Sequence, residues 1–229
     1  MQEQRSRAPK GSTGTQNRWR PVNVTDTESS SAGRSAELTR RTGETDVSLK
    51  LSLDGDGAGT RETGVGFLDH MLDLFARHGH FDLDVQATGD LKTGAHHTVE
   101  DVGIVLGQAL DKALGDRAGI TRYATATIPM DEARATTSVD ISGRPFVAFD
   151  GGALTPGLIG DFDAELTEEF LRALANNANL TLHVVVEAGT NAHHIVEAVF
   201  KSLARALRAA VSIDPDQHGV PSTKGTLTD

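Results

Sequence analysis

Cysteine is absent from the 229 residues. That excludes disulfides and any thiolate-bound metal, and leaves histidine, aspartate and glutamate as the strong ligands. No apolar run is long enough to span a bilayer or to form the core of a signal peptide, so the expected location is the cytoplasm. Basic residues are concentrated near the start: residues 1–43 hold eight of the 22 Lys/Arg and only four of the 32 Asp/Glu. The remainder is strongly acidic, which makes nucleic acid and membrane surfaces poor partners. A phosphorylated ligand would need a local basic pocket.

What the chain does have is a repeated phrase. Ala95-His96-His97-Thr98-Val99-Glu100-Asp101 returns 97 positions later as Ala192-His193-His194-Ile195-Val196-Glu197-Ala198. The stretches that follow also match, at Val102/Val199, Leu106/Leu203, Ala109/Ala206, Leu110/Leu207 and Ala113/Ala210. Both carry apolar residues at helical spacing, so the chain reads as an internal duplication. Residues 1–33, polar and poor in apolar side chains, read as a disordered tail, 34–119 as the first repeat and 120–229 as the second. Ordered structure is expected to begin near Ala36.

The alternation of Val47, Leu49, Leu51 and Leu53 predicts a strand closed by Asp54-Gly55-Asp56-Gly57. A helix is expected over 67–78, stopped by Gly79, then a strand through Phe81, Leu83 and Val85 and a helix over 96–114. In the second half, strands are expected at 121–128, 135–141, 145–149 and 180–186, with helices over 167–177 and 193–211. The architecture is two α/β halves, each with helices on one face of a small sheet.

On a helix, residues four apart share a face while neighbours diverge by about 100°. His96 can therefore share a cation with Glu100, and His193 with Glu197, leaving His97 and His194 to look elsewhere. If the repeats face each other, within one subunit or across an interface, each pair can take the spare imidazole of the other. His70 and Glu169 lie on the preceding helices at matching places. The proposed sets are His96, Glu100, His194 and Glu169 for one ion, and His193, Glu197, His97 and His70 for the second. Imidazole and carboxylate without sulfur suit manganese, iron or zinc. Simpler readings hold for other residues. His78 suits a helix C-terminus through the dipole, His183 a sheet face and His218 a loop; Asp131 and Glu132 suit a turn or structural role rather than metal ligation.

Phe67-Leu68-Asp69-His70-Met71-Leu72, the two His-His phrases, Pro129-Met130-Asp131-Glu132-Ala133 and Pro221-Ser222-Thr223-Lys224-Gly225 occur in one order along the chain. Together they resemble the imidazoleglycerol-phosphate dehydratase family from about residue 37 to the C-terminus. The resemblance implies an α+β fold of duplicated two-layer halves, of the ribosomal protein S5 domain 2-like kind. It implies a manganese-dependent hydro-lyase of histidine biosynthesis with two Mn2+ ions per active site. It further implies a homo-oligomer of 24 subunits with sites between them.

By the same resemblance, Glu44 is a substrate-contacting acid/base and Glu197 stands with it among the catalytic residues. Substrate would meet Glu44, His70, His96, His97, Arg122, Arg144, Ser222 and Lys224, the last four on its phosphate. Family members often carry His where Glu169 stands; Glu remains a competent ligand. Two other classes compete with a lyase. A metal-clamped assembly protein would not need Arg122, Arg144 and Lys224 to converge, and a dinuclear phosphoesterase would use bridging carboxylates more than imidazoles.

Overall fold

The computed structural model describes residues 24–26 and 33–227. Eleven strands and four α-helices follow in order: β1 (Val24–Asp26), β2 (Ser35–Arg41), β3 (Thr45–Ser52), β4 (Arg61–Glu62), α1 (Gly66–Gly79), β5 (Asp82–Gly89), α2 (His96–Leu114), β6 (Tyr123–Met130), β7 (Ala133–Asp140), β8 (Phe146–Asp150), β9 (Leu158–Ile159), β10 (Phe162–Asp163), α3 (Leu166–Ala178), β11 (Thr181–Ala188) and α4 (Ala192–Val211). One 3-10 turn, Leu91–Thr93, lies between β5 and α2.

The duplication is visible in the pairing. One main sheet runs β1-β2-β3-β5-β4 and the other β6-β7-β11-β8, with β9 and β10 forming a small separate pair. In each half two strands form an antiparallel hairpin and the last strand adds to it antiparallel. The remaining strand joins parallel at the edge, reached by a crossover helix, α1 or α3. Both sheets are therefore mixed. The strand β1 corrects the expectation of a disordered tail at one place, because Val24, Thr25 and Asp26 pair with Arg40, Thr39 and Leu38. The rest of that segment lies outside the described residues.

Each strand of the inner hairpins alternates because one face is covered. Val47, Leu49 and Leu51 of β3 are at most 2% exposed, while Asp46, Ser48 and Lys50 face outward. The long helices bury the stripe their spacing defines: Val99, Val102, Leu106, Ala109, Leu110 and Ala113 on α2, and the matching residues on α4. The helices of one half also pack on those of the other, α1 against α4 and α2 against α3. The four helices thus form a middle layer between two sheets, and the buried side chains of both halves make one core.

The α2–α3 contact is close because two positions of α2 lack side chains. A Cβ on Gly103 would lie 2.9 Å from Ala173 Cβ, and one on Gly107 2.5 Å from the Leu174 carbonyl oxygen. At the end of α1 the residue in left-handed conformation is His80 (φ 52°), inside a cap that the sequence places at Gly79. Gly79 is required for a different reason, since a Cβ there would lie 2.4 Å from the Phe81 ring. Among the described residues no helix is long and apolar enough to cross a membrane.

Candidate metal and phosphate centre

Helix α1 contributes His70 and α4 contributes His193 and Glu197, one turn apart, to a single cluster. The Nε2 atoms of both histidines lie 3.0 Å from Glu197 Oε1. One ligand atom from each of the three residues falls within 4.8 Å of the others. Glu197 is 6% exposed, and its second oxygen accepts from Lys201 Nζ at 2.5 Å. Burial pushes its carboxyl up, but Lys201, His70 and His193 outweigh that and hold it at about 2. Glu197 is therefore a carboxylate paired with Lys201 and flanked by two imidazoles, a donor set that fits one divalent cation.

The pseudo-equivalent crossing of α2 and α3 is more open. His96 Nε2 and Glu100 Oε2 are 3.9 Å apart on α2. His96 and Glu169 of α3 line one cavity of about 670 Å³, together with Phe149, Leu158 and Asp161. Asp161 also caps α1, accepting from Gly66 N at 2.7 Å and Phe67 N at 3.2 Å. That bond reaches from the second half to the first, and no local pattern in the sequence signals it.

The two spare imidazoles are held apart from these clusters. Among the described residues, the grouping of potential ligands is His70, His193 and Glu197, without His97. His97 Nδ1 is 3.1 Å from both oxygens of Asp90 and 3.8 Å from Glu44 Oε2. His194 Nδ1 lies 2.6 Å from Glu132 Oε2. In both rings a carboxylate takes Nδ1, which fixes the tautomer and leaves Nε2 to coordinate. The hydrogen bond to Asp90 raises the pKa of His97, and that to Glu132 raises the pKa of His194. Glu132 is held at about 2 by His194 first, then by the amides of Asn191 and Thr190. Glu132 has the turn or structural role expected of it, in the turn between β6 and β7, whereas nothing in the sequence pointed to Asp90. Both matter because they orient a histidine.

His183 sits on the outer sheet face, its ring 5.8 Å from that of Phe146. His78 is in the last turn of α1, but burial, then Lys201 and Arg205, push its pKa down. Neutral His78 is favoured there, opposite to the dipole expectation.

Glu44 sits in the turn between β2 and β3. Thr42 Oγ1 accepts from the amides of Glu44 (3.1 Å) and Thr45 (3.0 Å). Thr45 Oγ1 in turn donates to buried Asp101 of α2, which also faces Arg40 at 3.4 Å. The turn is thereby pinned to the helix that carries His97. Asp101 is one of two positions at which the repeated phrases differ, with Ala198 as its counterpart.

Arg122, Arg144, Ser222 and Lys224 line a second cavity of about 790 Å³. Arg122 is committed within it. Its Nε lies 2.8 Å from Asp140 Oδ1, and its Nη1 donates to the Pro221 carbonyl at 2.7 Å, so it holds the Pro221–Gly225 loop. Arg144 and Lys224 leave more of their donors to the cavity. Arg144 makes one long contact, 3.4 Å, to the Ser142 carbonyl.

A family model for imidazoleglycerol-phosphate dehydratase matches residues 63–207. The chain belongs to the imidazoleglycerol-phosphate dehydratase family. It is 58% identical over 195 residues to the imidazoleglycerol-phosphate dehydratase of Methylorubrum populi, covering 85% of this chain and all of that one. The Moorella thermoacetica enzyme of that name is 55% identical over 195 residues, 85% of this chain and 99% of the relative. Among solved structures, the Staphylococcus aureus imidazoleglycerol-phosphate dehydratase is 42% identical with a TM-score of 0.71, covering 79% of this chain and 99% of that one. The Pyrococcus furiosus structure, a complex with (S)-C348, gives 39% identity and a TM-score of 0.71, covering 82% and 99%. The duplicated α+β halves are thus the architecture of this dehydratase family.

Proposed function

We infer that the chain dehydrates imidazole glycerol phosphate to imidazole acetol phosphate in histidine biosynthesis, at a site completed by more than one copy of itself. The activity follows from family membership. The composite site follows from one distance. Arg122 N, beside the phosphate-type cavity, donates to the carbonyl of Ala210 near the end of α4, whereas Glu197 is in its second turn. Thirteen residues of helix separate them, about 20 Å at 1.5 Å per residue. The substrate has a three-carbon chain between imidazole and phosphate, and at about 1.5 Å per bond it cannot span that gap. That separation supports a site in which the phosphate cavity of one copy serves the His70, His193 and Glu197 cluster of another.

The same arrangement accounts for His97 and His194, whose Nδ1 atoms are held by carboxylates and whose Nε2 atoms would serve a neighbouring copy, that of His194 with Asp131 3.9 Å away. The reading extends to a closed homo-oligomer, with 24 subunits as its expected size, and to Mn2+ as the cation. Its location is the cytoplasm. The residues for one ion are His70, His193 and Glu197 with a neighbour's copy of His97; for the other, His96, Glu100 and Glu169 with a neighbour's copy of His194. When bound, the two cations act as Lewis acids and as a template for the substrate's imidazole.

The side chains then divide the work. Arg144, Ser222 and Lys224 hold the phosphate, with Arg122 fixing the loop that carries the last two. Arg and Lys meet a phosphate dianion through charge-assisted hydrogen bonds. Glu44 takes the proton from the C–H carbon while the hydroxyl on the adjacent carbon leaves; the resulting enol tautomerises to the ketone. Removing Lys224 should chiefly weaken capture. For Lys224→Ala we expect KM to rise about 10- to 100-fold, the scale of one charge-assisted bond, with a smaller change in kcat. Steady-state kinetics with and without added Mn2+ tests both this and the activity itself; an unchanged KM removes Lys224 from the phosphate site.

Composite sites also predict complementation. His97→Ala and Lys224→Ala chains, each impaired alone, should regain activity when dissociated together and reassembled, because some sites then receive an intact set. Hybrids no more active than the average of the two parents would mean that each site draws these residues from one copy.

A further inference from the structure

The two halves hold the second histidine of each pair by different carboxylates, and the difference singles out Asp90. In each half a two-residue turn closes the hairpin. Gly43-Glu44 lies between Thr42 and Thr45, whose backbones bond at 2.9 Å, and Asp131-Glu132 lies between the paired residues Met130 and Ala133. Glu44 and Glu132 are therefore equivalent. The glycines after β5 and β11 match as well. A Cβ on Gly89 would meet Thr98 and Thr45; one on Gly189 would meet Ile195 and Ala133, the same two positions of the other half. The residue that follows is Asp90 in one half and Thr190 in the other.

In the second half Thr190 offers no carboxylate. Its amide and hydroxyl donate to Glu132 Oε1 at 3.1 and 3.3 Å, and Glu132 Oε2 takes His194 Nδ1 at 2.6 Å. The hairpin glutamate is fully engaged. In the first half Asp90 takes His97 Nδ1, and Glu44 stands back at 3.8 Å with a side chain 57% exposed.

We propose that Asp90 is a positioning residue that relieves Glu44 of orienting His97, so that the Glu44 carboxylate stays free to reach substrate. Asp90 is hydrogen-bonded by Thr93 Oγ1 at 3.0 Å, inside the short 3-10 turn that the first half has and the second lacks. The extra turn thus supplies the replacement acceptor. This inference rests on the reading of Glu44 as acid/base, and the experiment separates the two.

Asp90→Thr copies the second half into the first, and Asp90→Asn retains an acceptor for the His97 N–H. In the crystal structure of the Asp90→Thr enzyme, Glu44 should close to hydrogen-bond distance of His97 Nδ1. Its kcat should fall about 10- to 100-fold, as for other partners of metal-bound histidines, with KM and metal content per chain little changed. Asp90→Asn should restore both geometry and turnover. The double variant Asp90→Thr/Glu44→Gln should be no slower than Glu44→Gln alone. Glu44 remaining at 3.8 Å or beyond in Asp90→Thr overturns the proposal, as does a double variant slowed by the full product of the two single effects. Closure of Glu44 with unchanged turnover upholds the hold of Asp90 on His97 and removes Glu44 from the chemistry instead. Should Asp90→Thr fail to fold, Asp90→Ala gives the same comparison.

Discussion

Glu44→Gln should leave an assembled, metal-loaded enzyme that binds substrate and turns it over about a hundredfold more slowly or worse. The substitution keeps the side chain's size and one acceptor oxygen but removes the group that can accept a proton. Loss of a positioned general base typically costs 10²–10⁴ in rate. The surroundings of Glu44 favour a clean result, because its turn is fixed by Thr42 and Thr45 through bonds that do not use the Glu44 carboxylate. The backbone should therefore hold its place. The measurements are kcat, substrate affinity in the absence of turnover, metal content and particle size. Near-normal kcat would return Glu44 to the role of an exposed turn residue.

Complete chelation at neutral pH should abolish activity and shrink the particle. If His97 and His194 reach ions bound by a neighbour's residues, removing the ions removes cross-links between copies as well as the Lewis acid. The chain would lose at once the cation beside Glu197 and the bridge that the cation makes. Light scattering alongside the activity assay decides it, and an unchanged particle after full metal removal would separate assembly from metal. Acid should act in the same direction. Ligation needs neutral imidazole, and His97 and His194 have pKa values raised by Asp90 and Glu132. Protons therefore compete for these two rings from a higher pH than for an ordinary histidine, and metal should leave as pH falls through that range.

The long helices were readable because burial follows a period the sequence carries. Val99 to Ala113 on α2 and Val196 to Ala210 on α4 mark their own buried faces; α2 has the expected bounds and α4 begins one residue earlier than expected. Strands of two residues, such as β4, β9 and β10, are too short to show any period. The proximity of His193 to Glu197 and of His96 to Glu100 was legible from spacing along one helix, and the partnership with His70 from its matching place in the repeat. The carboxylates that orient His97 and His194 were not, since each arrives from a different loop. A single overlay of the chain on itself also hid the equivalence of Glu44 and Glu132. The long helices repeat at an offset of 97 and the hairpins at 88, because the two halves differ in the lengths of their connecting segments. Arg122 shows the opposite case: its place beside the cavity was expected, but its bonds to Asp140 and Pro221 depend on neighbours that no local pattern reveals.

The crossing of α1 with α4 and of α2 with α3 has a consequence for how such a molecule can arise. A single half presents a helical face that only another half can cover. Two identical half-length chains would cover each other with twofold symmetry and would carry two identical ligand clusters. Symmetry would then bind every residue to its twin, so that a carboxylate recruited for proton transfer could not be spared from orienting a histidine. Joining the two genes end to end removes that constraint. Glu44 and Glu132 stand at equivalent places with different partners, and Asp101 and Ala198, Gly103 and Phe200 are equivalent positions with different residues.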